Sequence, residues 1–331
     1  MSIFQMSLSI VLVTMPFLIQ YLKKLSFKQT VSEYALEDDK KKAGTPIMGG
    51  ILFIIVPVVL TLIFVKGIFH DLDTLIVLLA FIGYGLIGFV DDFLIAVLKN
   101  NEGLKPLHKF LMQVLLAVIF FMLYRSHASL EIILPITRIV IPLGIAYFFL
   151  VLFMFAGSSN AVNLTDGMDG LSSGVSIIAL VPYLVITLKQ EKIGLAIFVV
   201  CLIGALLGYL YYNKKPAQVF MGDTGSLALG GVLAALAMIT KTELLLILIA
   251  GVPVIETLCV MIQIGSVKIR HKKVFPYTPI HYAFRIKGMP EVSIVRIKQD
   301  IIVKSIIHSN SIFLSFGCLG NKTNHILEKT V

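Results

Sequence analysis

The chain has 331 residues, of which 57% are hydrophobic and 14% charged, and it carries a net charge of +9. A soluble domain of this size could not bury so much apolar surface, which excludes a water-soluble enzyme. The excess of base is assigned to loops that fix a membrane topology, and no nucleic acid is expected as a partner.

Several apolar runs reach the roughly 18–20 residues that cross a bilayer as a helix. The first 22 residues lack a basic leader and the lysines follow them, so they read as an uncleaved span with its N-terminus outside. Further spans are drawn at about Ile47–Val65, Leu72–Val90, Leu107–Tyr124, Ile136–Phe155, Leu171–Leu188, Ile193–Tyr212, Ser226–Ile239 and Leu244–Ile264. A tenth, somewhere in Ile297–Gly320, is weak because it holds Lys298, Asp300, Lys304 and His308. Cys201 and Cys259 fall in apolar runs and Cys318 in the tail, with no disulfide or zinc spacing. No internal repeat is evident. The expected architecture is an all-α polytopic membrane protein, one domain over residues 1–331. It is a bundle of nine to ten transmembrane helices with a cytoplasmic-side active site.

Loops after odd-numbered spans hold eighteen basic residues and those on the other side six, which places the former in the cytoplasm. The polar motifs fall on that same side. KKAGTPIMGG, residues 41–50, sets lysines at the mouth of the second span, as phosphate ligands or as plain topology anchors. GFVDDFL ends the third span with Asp91 and Asp92, an unfavourable pair for a helix C-terminus. Adjacent carboxylates suit a proton acceptor or a metal-linked group.

KPLHKF carries Lys109. The stretch GSSNAVNLTDGMDGLSSG, residues 157–174, lies between apolar runs and supplies Asn163, Asp166 and Asp169. Carboxylates bordering a membrane are costly, so a site is the first reading and a solvated, helix-capping loop the second. YYNKKPAQ ends the seventh span with Asn213, and VFMGDTGSLALGG follows with Phe220 and Asp223. Phe220 offers a stacking face for a base or simple packing, and Asp223 a site ligand or a helix cap. Glu256 is a carboxylate inside the ninth span with no assigned chemistry, and RHKKVFPYTPIHYAF brings His281. Carboxylates hold Mg²⁺ through oxygen, and lysines with metal neutralise phosphates. No Walker A sequence is present. The chemistry suggested is transfer involving a pyrophosphate at a membrane surface.

KKAGTPIMGG, GFVDDFL, SSNAVNLTDGMDGL, VFMGDTGSLALGG and VFPYTPIH, in that order, resemble the polyprenyl-phosphate N-acetylhexosamine-1-phosphate transferases. The resemblance implies ten transmembrane helices, a homodimer in the bacterial cell membrane and a need for Mg²⁺. Within the family, the branch most similar joins UDP-MurNAc-pentapeptide to the membrane lipid undecaprenyl phosphate, giving lipid I and UMP. Similarity carries metal binding to Asp223 and catalysis to Asp91 and Asp92, and His281, held by Pro279 in the TPIH turn, is taken as a further catalytic candidate. It puts substrate contacts near Lys42, Lys109, Asn163, Asp166, Asp169, Asn213 and Phe220. The family has three histidines then Phe-Glu after TPI, whereas this chain reads His281, Tyr282, Ala283, Phe284, Arg285. Three alternatives stand beside this reading: a related GlcNAc-1-phosphate transferase, an impaired relative kept for binding or assembly, and a transporter. Charges at span ends disfavour the transporter.

Overall fold

In the computed structural model, residues 1–25, 42, 44–98 and 103–309 are described. Lys41, the loop around residue 30, Cys318 and the expected tenth span beyond residue 309 lie outside them. The described residues are mostly helical: α1 (Ile3–Lys24), α2 (Gly50–Phe64), α3 (Leu72–Leu98), α4 (Pro106–Tyr124), α5 (Tyr147–Thr165), α6 (Leu171–Lys189), α7 (Ile193–Asn213), α8 (Gly222–Ile239), α9 (Leu246–Ile249), α10 (Gly251–Arg270), α11 (Ile280–Ile286) and α12 (Glu291–His308). A hairpin of β1 (Glu131–Ile133) and β2 (Val140–Pro142) pairs Ile132 with Ile141. Among the described residues, eight helices are long and apolar enough to cross a membrane, and α2 is a shorter apolar one. This is an all-α polytopic membrane protein.

Local chemistry sets the helix ends. Ser2 and Gln5 form a reciprocal capping box on α1, and Lys23 and Lys24 sit in its last turn, where the dipole favours cations. Pro106 opens α4, where its missing N–H costs nothing.

The bundle is built around α8, in which every residue from Thr224 to Ile239 is buried. Helices α3 and α5 pack on it, and α7 packs against α1, α2 and α6. At the opposite end from the α8 N-terminus, Tyr147 donates to Glu243 (2.5 Å) and Tyr124 to the Met238 carbonyl (3.2 Å).

The structure corrects four expected boundaries. The third span does not stop at Val90: α3 runs on to Leu98 and carries Asp91 and Asp92 within it. The N-terminus of α8 supplies the donors that stabilise Asp92 there. The fifth span begins only at Tyr147, because residues 131–142 form the hairpin, and it continues through the polar stretch to Thr165. Most of the expected polar stretch is therefore helix, and only residues 166–170 join α5 to α6. Ser159 returns its hydroxyl to the Phe155 carbonyl (2.7 Å), so a serine is tolerated there. The ninth span breaks between α9 and α10 at Ala250. Finally, the described part of the weak tenth span belongs to α12, which starts at Glu291 and packs along α6. Ile294 and Ile302 face Met168, Leu171 and Val175, while Arg296, Asp300 and Lys304 stay exposed.

Candidate functional site

The N-terminus of α8 lies against α3 at Asp92. Asp92 Oδ1 accepts the Asp223 N–H (3.0 Å), and its Oδ2 accepts both the Thr224 N–H (2.9 Å) and the Thr224 hydroxyl (2.6 Å). Asp92 thus caps α8 from across the bundle, satisfying donors that a helix start leaves free. The approach requires glycine on both sides. A Cβ on Gly88 would fall 2.0 Å from the Asp223 carbonyl oxygen, and one on Gly222, at φ +70°, would fall 2.2 Å from Asp92 Oδ2.

Asp91 is held differently: its Oδ1 accepts the Leu104 N–H (2.8 Å) and its Oδ2 lies 3.6 Å from Lys109 Nζ. Lys109 also forms a close ion pair with Asp223. Asn163, on the last turn of α5, donates to Asp223 Oδ1 (2.7 Å) and to the Ser226 hydroxyl (2.9 Å). Asp91, Asp92 and Asp223 each offer an oxygen, and these atoms lie within 4.8 Å of one another. Three carboxylates against one ammonium leave negative charge, and an all-oxygen set of this kind fits a hard divalent cation.

Beside this centre a cavity of about 770 Å³ opens between α3, α4 and α5. Asp91 and Lys109 line it together with Gln113, Asn160 and apolar side chains such as Ile95 and Phe110.

A second cluster braces the loop between α5 and α6. Lys42 Nζ lies 2.7 Å from Asp169 Oδ1 and 2.7 Å from Glu291 Oε1. Glu291 also accepts the Asp169 N–H (2.9 Å) and pairs with Lys215 (2.6 Å). Burial pushes the Glu291 carboxyl up, but its bonds from Lys215 and Lys42 outweigh this and bring it down to about 2. Asn213 spends its side chain inside the protein, accepting from the Gly170 N–H (3.1 Å) and the Ser173 hydroxyl (2.9 Å) and donating to the Val219 carbonyl (3.0 Å). The Asp166 N–H donates to the Asn163 carbonyl (3.1 Å), and its carboxyl accepts no hydrogen bond among the described residues. Burial, then the like charges of Asp223, Asp92 and Asp169, hold its carboxyl well above the usual carboxylate range. Phe220 packs by Leu22, Ile47 and Met48, and its N–H donates to the Pro46 carbonyl (2.9 Å).

His281 is fully enclosed, with its Nδ1 3.2 Å from Glu256 Oε1. Its Nε2 abuts Gly167, where a Cβ would lie only 2.5 Å away. Tyr282, at a position where the family carries histidine, donates its hydroxyl to the Gly167 carbonyl (3.1 Å). Glu256 also forms an ion pair with Lys298 of α12. The structure therefore gathers Asp91, Asp92, Asp223, Lys109 and Asn163 at one centre and ties Lys42 to Asp169. It sets His281 beneath the 166–169 loop. Sequence reasoning missed Glu291 and the partners of Glu256. An acid followed by a helical repeat was the only signal at Glu291.

A helical membrane bundle with carboxylates and lysines converging at one end defines a membrane-embedded transferase, and this chain belongs to glycosyl transferase family 4, whose pattern matches residues 74–241. Relatives named phospho-N-acetylmuramoyl-pentapeptide-transferase are similar over most of their length. The protein of Staphylococcus epidermidis is 43% identical over 88% of this chain and 92% of its own. That of Geobacillus thermodenitrificans is 46% identical over 87% and 90%, and that of Bacillus subtilis 44% over 85% and 87%. The resemblance read from the motifs is borne out.

Proposed function

We propose that this enzyme transfers phospho-N-acetylmuramoyl-pentapeptide from UDP-MurNAc-pentapeptide to undecaprenyl phosphate, giving lipid I and UMP. The observation that carries this reading is the Asp91–Asp92–Asp223–Lys109 centre opening onto a cavity between apolar helices. A ligand with an anionic head and an apolar tail suits such a cavity. An oxygen of the acceptor phosphate attacks the sugar-bearing phosphorus of the donor, a new P–O–P bond forms, and the bond to the UMP oxygen breaks. A phosphate monoester is already largely ionised near neutral pH, so positioning outweighs proton removal.

In this reading Lys109 holds the acceptor head, Asp91 orients it or takes its remaining proton, and Asp92 fixes α8. Lys42, Asp166, Asp169 and Phe220 form the donor side, and Asn213 shapes it. His281 holds the 166–169 loop from beneath. Asp223, with Asp91 and Asp92 beside it, would hold Mg²⁺, which when bound neutralises charge on the transferring phosphates.

We place this end of the bundle in the cytoplasm on the basic-residue asymmetry, with the N-terminus outside, and the active unit as a homodimer. Incubating purified protein with both substrates and Mg²⁺ should release UMP and form lipid I. No UMP release from folded protein would overturn the reading. Single cysteines placed near residues 166 and 218 should resist an impermeant external reagent in intact cells. Labelling from outside would invert the topology.

A further inference from the structure

Among the polar residues that line the cavity beside Asp91 and that the proposed mechanism does not use is Gln113. Gln113 lies one helical turn deeper than Lys109 on the same face of α4, and it is 2% exposed. Its orientation is fixed by its neighbour. Asn160 Nδ2 donates to the Ala156 carbonyl (2.8 Å), which can only accept, so the Asn160 amide is set. That same Nδ2 donates to Gln113 Oε1 (3.0 Å), so the oxygen of Gln113 must face α5. Among the described residues its Nε2 has no hydrogen-bond partner and is buried, in a residue that lines the cavity. A buried donor without an acceptor is costly, and native proteins rarely keep one unless something else fills it.

We propose that the Gln113 amide is the acceptor-binding group of this site, donating a hydrogen bond to a phosphate oxygen of the polyprenyl phosphate, with Asn160 as its positioning residue. Lys109 and Gln113 then grip one phosphate from successive turns of α4. The ammonium supplies charge at the mouth, and the amide supplies direction below it. The apolar lining at Ile95, Leu98, Leu104 and Phe110 accepts the first part of the tail. This assignment rests on the transferase reading for its ligand, but binding alone can test it.

The test uses the full-length protein in detergent, with a short-chain prenyl phosphate, the matching prenyl alcohol and inorganic phosphate as probes. Gln113→Met keeps the length of the side chain and removes the donor. It should weaken prenyl phosphate binding about tenfold, as expected for a hydrogen bond to a charged group. Gln113→Glu, which adds repulsion, should weaken it further, and Asn160→Leu should weaken it less. Alcohol binding should not change in any variant, and KM should rise for the lipid acceptor but not for the nucleotide donor. Unchanged prenyl phosphate affinity in both Gln113 variants would overturn the proposal. So would an equal loss for phosphate and alcohol, since Gln113 would then sense only the tail. Displacement by equimolar inorganic phosphate would make this a free-phosphate site and overturn the lipid assignment. Wild-type protein that binds prenyl phosphate through Gln113 yet transfers nothing would sink the transferase reading and leave this inference standing.

Discussion

Asp223→Asn is expected to lower turnover about a thousandfold, because several kcal/mol of charge stabilisation disappear at about 1.4 kcal/mol per factor of ten. An amide keeps the size of the side chain and can still accept from Asn163, so the local fold should persist. What it loses is the anionic oxygen toward Lys109 and toward a hard cation, which a neutral amide binds poorly. Two measurements besides turnover separate this from general damage. Mg²⁺ should raise the thermal midpoint of the wild-type protein, since a ligand bound only to the folded state stabilises it, and should leave that of Asp223→Asn unmoved. Asp92→Asn supplies the contrast. Its carboxylate caps α8 through Thr224, so its loss should lower stability by about 1 kcal/mol in addition to any effect on rate. Near-normal turnover of Asp223→Asn at low Mg²⁺ would remove Asp223 from the metal site.

The contrast between Asp92 and Asp223 marks how far the sequence could be read. The carboxylates stood out because each sits in a polar, glycine-bearing break between apolar runs, and periodicity located the spans. The adjacency of Asp91 and Asp92 announced chemistry, but nothing local could show that one of them reaches the N–H groups of a helix 131 residues further on. Helical continuation through residues 157–165 was hidden for a related reason. Polar residues there look like loop until the interior is seen to be polar, with Asn160 and Asn163 pointing at Gln113 and Asp223. Glu291 carries no motif, and its meaning lies in Lys42, Lys215 and the amide of Asp169, the last of them 122 residues away. The charges that weakened the expected tenth span partly cancel in three dimensions: Lys298 is buried because Glu256 meets it.

That last pair gives the largest expected change in stability. Glu256 is fully buried and has two partners, the Lys298 ammonium and His281, whose Nδ1 and backbone N–H both face it (3.2 and 3.4 Å). Removing one member of a buried ion pair leaves an uncompensated charge and costs about 3–5 kcal/mol, whereas replacing both with apolar groups is often neutral. Glu256→Gln should therefore lower the thermal midpoint sharply. Glu256→Gln with Lys298→Met should recover most of the loss, and the cycle of single and double variants should give a coupling well above the roughly 0.5 kcal/mol scatter of independent sites. The same cycle isolates His281. In the rescued double variant α12 is again stable, but the imidazole no longer has a carboxylate to orient it beneath Gly167. If His281 shapes the Asp166–Asp169 loop, KM for the nucleotide donor should stay raised after stability returns, and His281→Ala should reproduce that rise in the wild-type background. Full recovery of both stability and KM would show that the histidine needs no anchor. The buried pair would then serve only to seat α12 against α6 and α10.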